Sequence, residues 1–221
     1  MNSEIDIEQT IDRYRKRYSE YGYSPKTLGW NKNRQYIRFK ALTSLFQLDN
    51  IDILDIGCGF GDLNKLLVTL ADDYKYTGID IVEELIREGR KHYNENHINF
   101  VSDNFLEYEF DKQFDIAVAS GIFNHKLKEA NNYDVIEKTI EKALNLTRIG
   151  IAFDFLSDKV DYKLDHTFHC NPEKLLDIAY KFSRKLVLRN DYMPFELALF
   201  IFKDDSFNKK AVFNNQNLKY D

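Results

Sequence analysis

The sequence predicts an α/β fold, with a mostly parallel β-sheet flanked by helices. The segment Ile51–Ile56 is short, rich in β-branched residues and almost wholly apolar, which is typical of a strand buried on both faces. A turn containing three glycines, Gly57–Gly61, follows this strand. The next apolar residues repeat at helical spacing: Leu63, Leu66, Leu67 and Leu70. A second strand, Tyr76–Asp80, comes at the distance expected for one strand–helix–strand step.

Composition predicts one globular domain. The chain has 221 residues, of which 43% are hydrophobic and 30% are charged, so it can bury one substantial core. Its net charge of −5 gives no general attraction to nucleic acid or to an anionic membrane. We expect a cytoplasmic protein, because there is no membrane-spanning apolar run and no apolar signal core. The two cysteines, Cys58 and Cys170, have no metal-binding spacing and are predicted to be free thiols.

The glycine turn predicts a ligand that carries positive charge. In a dinucleotide-binding loop, G-x-G-x-x-G, the third glycine would stand at position 62, where this chain has Asp62. A carboxylate at a helix start would compete with a diphosphate for the same amides. S-adenosylmethionine (SAM) has a sulfonium, an ammonium and a ribose but no phosphate, and it suits such a loop.

Four segments together resemble the class I SAM-dependent methyltransferases. The run Ile53–Gly61, ILDIGCGFG, resembles the family's glycine motif, and Asp80 closes the second strand as in the family. The segments 100–103 and 114–120 then follow in the family's order. The resemblance covers roughly residues 50–203. It implies an enzyme that uses SAM and releases S-adenosylhomocysteine (SAH), and a seven-stranded sheet in the order 3-2-1-4-5-7-6 with the last strand antiparallel.

The resemblance also implies where the cofactor binds. Asp80 would accept hydrogen bonds from the two ribose hydroxyls, and Ile81 would lie against the adenine. Asp103 would bind the adenine amino group together with a nearby amide, although a loop aspartate that caps the next turn is the alternative. The predicted cofactor-binding residues are Asp55, Gly57, Cys58, Gly59, Gly61, Asp62, Asp80, Ile81, Asp103, Asn104, Phe105 and Ser120.

Residues 1–48 are predicted to form a helical lid before the SAM-binding domain, 49–203. Residues 3–18 read as an amphipathic helix capped by Ser3, with acidic residues first and basic residues later. We interpret its basic residues as a solvated face, and RNA or phosphate binding is the alternative. Those basic residues are Arg13, Arg15, Lys16 and Arg17.

An aromatic loop and a second helix complete the predicted lid. Tyr21, Tyr23 and Trp30 are candidates for covering the cofactor and the acceptor, with plain packing of the helices as the alternative. The second helix is predicted over about residues 31–48, with Ile37, Ala41, Ser44, Leu45 and Leu48 on its inner face. Lys32, Arg34 and Arg38 would lie on the opposite face, solvated or within reach of an anionic acceptor.

The loop after the fourth strand, Phe114–Ser120, is predicted to carry the chemistry, because ligands in open α/β sheets lie beyond the carboxyl ends of strands. If the acceptor is a hydroxyl, it must lose a proton, and His125 is the predicted general base. If the acceptor is already an anion, no base is needed and nearby arginine or lysine matters more. The other predicted substrate-binding residues are Asn124, His166 and His169, beside Tyr21, Tyr23 and Trp30. No metal is expected, because His166 and His169 lack a full ligand set.

The remaining chain predicts two helices and three strands. The helices are 134–146 and 171–182, and the strands are 150–156, 184–189 and 196–203. Residues 204–221 are polar and rich in asparagine, and they are predicted to form a flexible tail.

The predicted function is methyl transfer to a small-molecule acceptor, by O- or N-methylation, with a metabolite or a surface-glycan precursor as the candidate acceptors. The chain has no [D/N]-P-P-[Y/F] signature after the fourth strand, which disfavours nucleic-acid bases and glutamine amides as acceptors. Alternatives are an RNA or protein methyltransferase that uses the basic helix, a non-catalytic scaffold, and a nucleotide-dependent oxidoreductase. The intact glycines and aspartates of the motifs argue against the scaffold, and Asp62 argues against the oxidoreductase.

Overall fold

The structure is a computed structural model that describes residues 4–30 and 34–204. The predicted cap Ser3, the start of the predicted second helix at Asn31, and Lys32 lie outside the described residues, as does the tail from residue 205 onward. Within the two described ranges, no helix is both long enough and apolar enough to cross a membrane.

Seven strands form one sheet in the order β3-β2-β1-β4-β5-β7-β6. All neighbouring pairs are parallel except β5 with β7 and β6 with β7, so β7 alone runs against the rest. The predicted sheet order and the antiparallel last strand are confirmed. The strands are β1 Ile51–Ile56, β2 Tyr74–Asp80, β3 Ile98–Ser102, β4 Phe114–Ala119, β5 Thr147–Leu156, β6 Leu186–Arg189 and β7 Glu196–Phe202.

Six helices within residues 4–30 and 34–204 flank the sheet. Asparagine caps begin two of them: the side chains of Asn131 and Asn171 accept hydrogen bonds from backbone amides of the first turns of α5 and α6. Pro172 supplies the first residue of α6. The helices are α1 Glu4–Tyr21, α2 Arg34–Thr43, α3 Asn64–Leu70, α4 Glu83–His92, α5 Asn132–Leu146 and α6 Pro172–Tyr180.

Apolar side chains fill both faces of the sheet. In β7, Leu199 and Ile201 pack on the α5 and α6 side, whereas Phe200 packs on the side of α2 and α3. This alternation follows from the two-residue period of a strand, and helices on both faces explain why the strands are apolar throughout. The two cores hold the carboxyl ends of β1, β2 and β4 at one edge of the sheet.

The inner face of α2 differs from the prediction. The helix ends at Thr43 and not near residue 48, so Leu45 and Leu48 lie beyond it. Ala41 and Leu48 are buried as predicted, and so are Phe39 and Leu42, whereas Ile37 and Leu45 are 41% and 42% exposed. Arg38, which we expected on the outer face, is buried because its guanidinium forms an ion pair with Glu196 of β7. A helical period alone cannot show that a cation will find such a partner 158 positions away.

Candidate active site

A cavity of about 550 Å³ opens at the carboxyl ends of the strands, beneath α1. Its floor, which we call the strand-end wall, comprises residues 55–59, 79–82, 103–106 and 120–125. Its roof, which we call the lid wall, comprises the α1 residues that line the cavity together with residues 28–30. The α1 residues are Asp6, Ile7, Thr10, Arg13, Tyr14 and Arg17. The volume lies in the range of small-molecule sites.

The glycine turn is close-packed against other parts of the cavity. Gly57 and Gly59 have φ of 68° and 56°, in the left-handed region that favours glycine. A Cβ on Gly57 would meet Ile122 Cγ2 at 2.1 Å, and one on Gly59 would meet Leu28 Cδ2 at 2.9 Å. The glycines therefore admit one side chain from the loop after β4 and one from the lid wall.

Asp80 is held in place by the glycine turn. Its Oδ2 accepts a hydrogen bond from the amide of Gly59 at 2.8 Å, and its Oδ1 accepts one from the amide of Val82 at 2.9 Å. Burial raises the pKa of Asp80, and these amides oppose that rise. Each carboxylate oxygen can accept a second hydrogen bond, so the half-buried group has acceptor capacity left for a ligand in the cavity.

Asp55 lies deeper and is paired with a tyrosine. Tyr76 Oη donates a hydrogen bond to Asp55 Oδ2 at 2.7 Å, and the carboxyl is only 4% exposed. Burial raises the pKa of Asp55 to about 7, although the Tyr76 hydrogen bond opposes that rise. The carboxyl is thus poised between its neutral and charged forms near neutral pH.

Asp62 does not line the cavity, so the structure does not bring this predicted cofactor-binding residue together with the other members of its set. Its Oδ1 accepts hydrogen bonds from Tyr23 Oη at 2.7 Å and Tyr93 Oη at 2.8 Å, and Lys65 Nζ lies 2.9 Å away. These donors come from the loop after α1, from the end of α4 and from α3. The carboxylate therefore fastens the lid instead of facing the ligand.

The same contact removes Tyr23 from the predicted substrate-binding set. Its ring stacks on His92 with centroids 3.8 Å apart and meets Phe60 edge-on. Tyr21 is 40% exposed at the end of α1, away from the cavity. Of the three aromatic lid candidates, Trp30 alone lines the cavity.

The start of α1 is fastened to the loop that precedes α5. The buried carboxylate of Asp6 accepts hydrogen bonds from the backbone amides of Lys128, Glu129 and Ala130 at 2.8 to 3.2 Å. The far half of α1 contacts α4, where Tyr18 Oη donates to Glu88 Oε2 at 2.7 Å. The lid wall is consequently attached on both sides of the cavity.

His125 faces the cavity and contacts the lid wall. Arg13 Nη2 lies 2.5 Å from His125 Nε2. Because a guanidinium remains protonated and only donates, Nε2 must be the acceptor and the imidazole must be neutral. Burial lowers the pKa of His125, and the nearby Arg13 and His166 lower it further.

Arg38 supports the opposite side of the cavity. Its guanidinium stacks on Trp30, 3.8 Å from the ring centroid, and pairs with Glu196. Asp154 lies 4.0 Å from Arg38 and accepts hydrogen bonds from Ser120 Oγ at 2.5 Å and the amide of Gly121 at 2.7 Å. Burial opposes the charge of Arg38, but Asp154 and Glu196 raise its pKa overall.

Most predicted site residues meet at the cavity, and five do not. Gly61 packs under the ring of Phe100, and His169 contacts the carbonyl of Ser157 and the hydroxyl of Thr167. With Tyr21, Tyr23 and Asp62, they lie away from the cavity. Those at the cavity are Asp55, Gly57, Cys58, Gly59, Asp80, Ile81, Asp103, Asn104, Phe105, Ser120, Trp30, Asn124, His125 and His166. In residues 4–30 and 34–204, no group of three or more His, Cys, Asp or Glu is arranged to hold a metal ion.

Sequence reasoning missed the polar face of α1. Arg13 and Arg17, which we expected to be solvated, are half-buried at the cavity, whereas Arg15 and Lys16 are exposed. Arg13 and Arg17 are four positions apart and follow Thr10 and Asp6 at helical spacing, so this polar stripe was visible. Its inward direction could not be seen in the sequence, because the partners of Asp6 and Arg13 lie in the segment between β4 and α5.

Comparison with known proteins identifies related chains. A family profile described as "Methyltransferase domain" matches residues 53–145. A putative methyltransferase of Mycobacterium tuberculosis is 30% identical over 160 residues, covering 70% of this chain and 95% of that relative. A malonyl-[acyl-carrier protein] O-methyltransferase of Acetivibrio thermocellus is 28% identical over 190 residues, covering 78% of this chain and 63% of the relative.

A solved structure has the same fold. The structure described as a DhpI–SAH complex superposes with a TM-score of 0.64 at 19% identity, covering 88% of this chain and 95% of that one. At 19% sequence identity, this similarity shows a shared fold only.

Proposed function

Because the chain belongs to the class I SAM-dependent methyltransferases, we propose that it transfers the methyl group of SAM to a small-molecule acceptor bound beneath α1. The enzyme class and the cofactor follow from membership of the family. The acceptor and the role of each residue are the proposal.

The residues of the strand-end wall fit the cofactor. Asp80 has carboxylate lone pairs available for ribose hydroxyls, and Asp103 and Asn104 line the same edge for the adenine. The acidic strand-end wall suits a ligand with a sulfonium and an ammonium. SAM supplies an electrophilic methyl group, so the protein mainly aligns the acceptor and excludes water.

The observation that carries the small-molecule proposal is the roof. Helix α1 covers the cavity and is attached through Asp6 on one side and Tyr18 on the other. An acceptor must therefore fit within about 550 Å³ together with the cofactor, or enter as an extended group on a carrier. The malonyl-[acyl-carrier protein] O-methyltransferase among the relatives is in keeping with an oxygen acceptor of this kind.

The basic residues of α1 argue against an RNA substrate. Arg13 and Arg17 line the cavity, and Arg17 Nη2 donates to the carbonyl of Lys26 at 2.8 Å. Arg15 forms an ion pair with Glu84 at 2.8 Å. Lys16 is exposed on the same helix. Such a surface lacks the row of cations that binds a phosphate backbone.

Cofactor binding tests the role of the strand-end wall. We expect calorimetric titration with SAH to show binding that Asp80→Asn weakens about tenfold to a hundredfold, since charge-assisted hydrogen bonds are lost. Asp52→Asn, at the opposite end of β1, is the matched control and should bind SAH normally. No heat and no thermal stabilisation of the wild type would refute the proposed site.

Label transfer tests the acceptor class. The protein is incubated with methyl-labelled SAM and, separately, with low-mass metabolites, total RNA and total protein from cells. We expect label in the low-mass pool. Label that enters RNA, or the amino-acid side chains of proteins and not an acyl group on a carrier, would overturn the small-molecule proposal and favour the polymer alternative.

A further inference from the structure

Arg13 is a half-buried cation whose described partner is neutral. It donates from Nη2 to His125 Nε2, and this contact requires a neutral imidazole. Burial lowers the pKa of Arg13; the neighbouring Tyr14 opposes that change, and the cation Arg17 adds to it. A guanidinium removed from water without a counter-ion is destabilising unless an anion approaches it.

The acidic side chains around the cavity form hydrogen bonds or ion pairs with groups other than Arg13. Asp6 accepts hydrogen bonds from three backbone amides, and Asp80 accepts two. Glu196 is paired with Arg38. Among residues 4–30 and 34–204, no carboxylate forms an ion pair with Arg13. The missing charge is therefore expected from a ligand.

The residues around Arg13 indicate what else the ligand should carry besides a negative charge. His125 lies in the loop after β4, joined to Thr167 by an isolated β-bridge. Leu127, Leu156 and Leu164 line the same cavity. An anionic group attached to an apolar body would place its charge at Arg13 and its body against these leucines.

The basic nitrogen of His125 is already occupied by Arg13. A general base must offer a free lone pair to the proton it removes, and Nε2 offers its lone pair to the guanidinium. An acceptor that is ionised at neutral pH needs no base. A carboxylate satisfies both conditions, because it is ionised and its two oxygens match the planar fork of a guanidinium.

We propose that Arg13 is the receptor for a carboxylate on the methyl acceptor, and that neutral His125 is a positioning residue that holds the guanidinium. The inference rests on the proposed function, since it names the class of acceptor for the same cavity. The carboxylate of the cofactor is the other source of the same chemistry, and the experiment separates the two.

The experiment measures carboxylate binding to the SAH-saturated protein. Hexanoate and benzoate are titrated against their uncharged counterparts, hexanamide and benzamide, by ligand-observed NMR and by the fluorescence of Trp30, the single tryptophan, which lines the cavity. We expect each carboxylate to bind about tenfold to a hundredfold more tightly than its amide, as for hydrogen bonds to charged groups. Acids and amides that bind equally, or carboxylates that do not bind, would overturn the inference.

Variants assign the preference to Arg13. Arg13→Gln should reduce the preference to within about twofold, whereas Lys16→Gln, which removes one exposed charge from the same helix, should retain it. His125→Gln keeps a hydrogen-bond acceptor for the guanidinium and should retain the preference, whereas His125→Leu should weaken it. Loss in Lys16→Gln as well, or retention in Arg13→Gln, contradicts the inference.

Calorimetry with SAH on the same variants identifies the source of the carboxylate. Arg13→Gln should leave SAH affinity within about twofold of the wild type. A large loss of SAH affinity with the carboxylate preference intact would assign Arg13 to the cofactor and overturn the inference. Failure of the wild type to bind SAH would instead remove the proposed function, so the two failures are distinguishable.

Discussion

The two walls of the cavity are held by different interactions. The strand-end wall is positioned by the hydrogen bonds between neighbouring strands of the sheet. Asp80 at its centre accepts hydrogen bonds from the backbone amides of residues that follow β1 and β2. The lid wall is positioned by side chains that reach distant elements, as Tyr23 reaches Asp62 and Tyr18 reaches Glu88. The comparison indicates that the first wall is rigid, whereas the second is expected to open by local unfolding.

A rigid strand-end wall and a lid wall that can open suit a site that is covered by a helix. A cofactor and an acceptor must enter a cavity that α1 covers, and local opening of α1 requires loss of fewer contacts than disruption of the sheet. In helix α1, Ile5 is 48% exposed and Asp6 is buried, and the apolar contacts come from Tyr14 and Tyr18, which pack partly buried against Phe60, Val82 and Leu85. The lid wall can thus be altered with little effect on the sheet.

The largest effect is expected from crowding the strand-end wall. In Gly57→Ala the new Cβ would stand 2.1 Å from Ile122 at a φ of +68°, so left-handed strain and overpacking both act. We expect a loss of about 2–5 kcal/mol in the free energy of unfolding, measured by urea denaturation. Gly22→Ala, at a φ of +58° with nothing within 4 Å, is the matched control in the lid region and should lose about 1–2 kcal/mol. Equal losses would contradict the proposed contrast between the walls.

A smaller effect is expected from loosening the lid wall. Asp6→Asn weakens the acceptor for three amides and brings an amide group against those donors. We expect α1 to open about 1–3 kcal/mol more easily, measured by hydrogen exchange of its amides. Asp12→Asn, exposed on the same helix, should change exchange by less than about 0.5 kcal/mol. Exchange that accelerates equally in β4 would show that the lid and the sheet unfold together.

The smallest effect for each measured step, at most about 1.4 kcal/mol per pH unit, is a pH dependence of stability within the strand-end wall. Burial raises the pKa of Asp55 to about 7 in the folded protein, above its unfolded value of about 3.9. The stability that its protonation contributes is therefore full below about pH 4 and is lost as pH rises through about 7. We expect wild-type stability to fall relative to Asp55→Asn over this range, by at most about 1.4 kcal/mol per pH unit.

Denaturant unfolding at several pH values measures this dependence. Asp52→Asn on the same strand is the control, because Asp52 forms an ion pair with Lys112 near the opposite end of β1. A stability difference between wild type and Asp55→Asn that stays constant from pH 4 to 8 would contradict the assignment.

The strand-end wall was predictable because its signals are local. The apolar run of β1, the glycines after it and Asp80 at the end of β2 lie within 30 residues, and parallel strands bring their carboxyl ends together. The sheet order and family are confirmed on this basis, whereas the roles of individual site residues stay predictions. Asp62 shows the limit of such local signals. Its position in the sequence suggested a contact with the ligand, whereas its side chain contacts Tyr23, Tyr93 and Lys65 in the structure.

The sequence by itself determined the strands, the glycine turn and the edge of the sheet where ligands bind, since hydrophobic period and glycine conformation act over a few residues. Tertiary structure alone decided which charges are buried. Arg38 is buried by Glu196, which is 158 positions away, and Arg13 meets His125 across 112 positions. A charged side chain can leave water only where a partner compensates it, and the position of that partner is a property of the assembled fold.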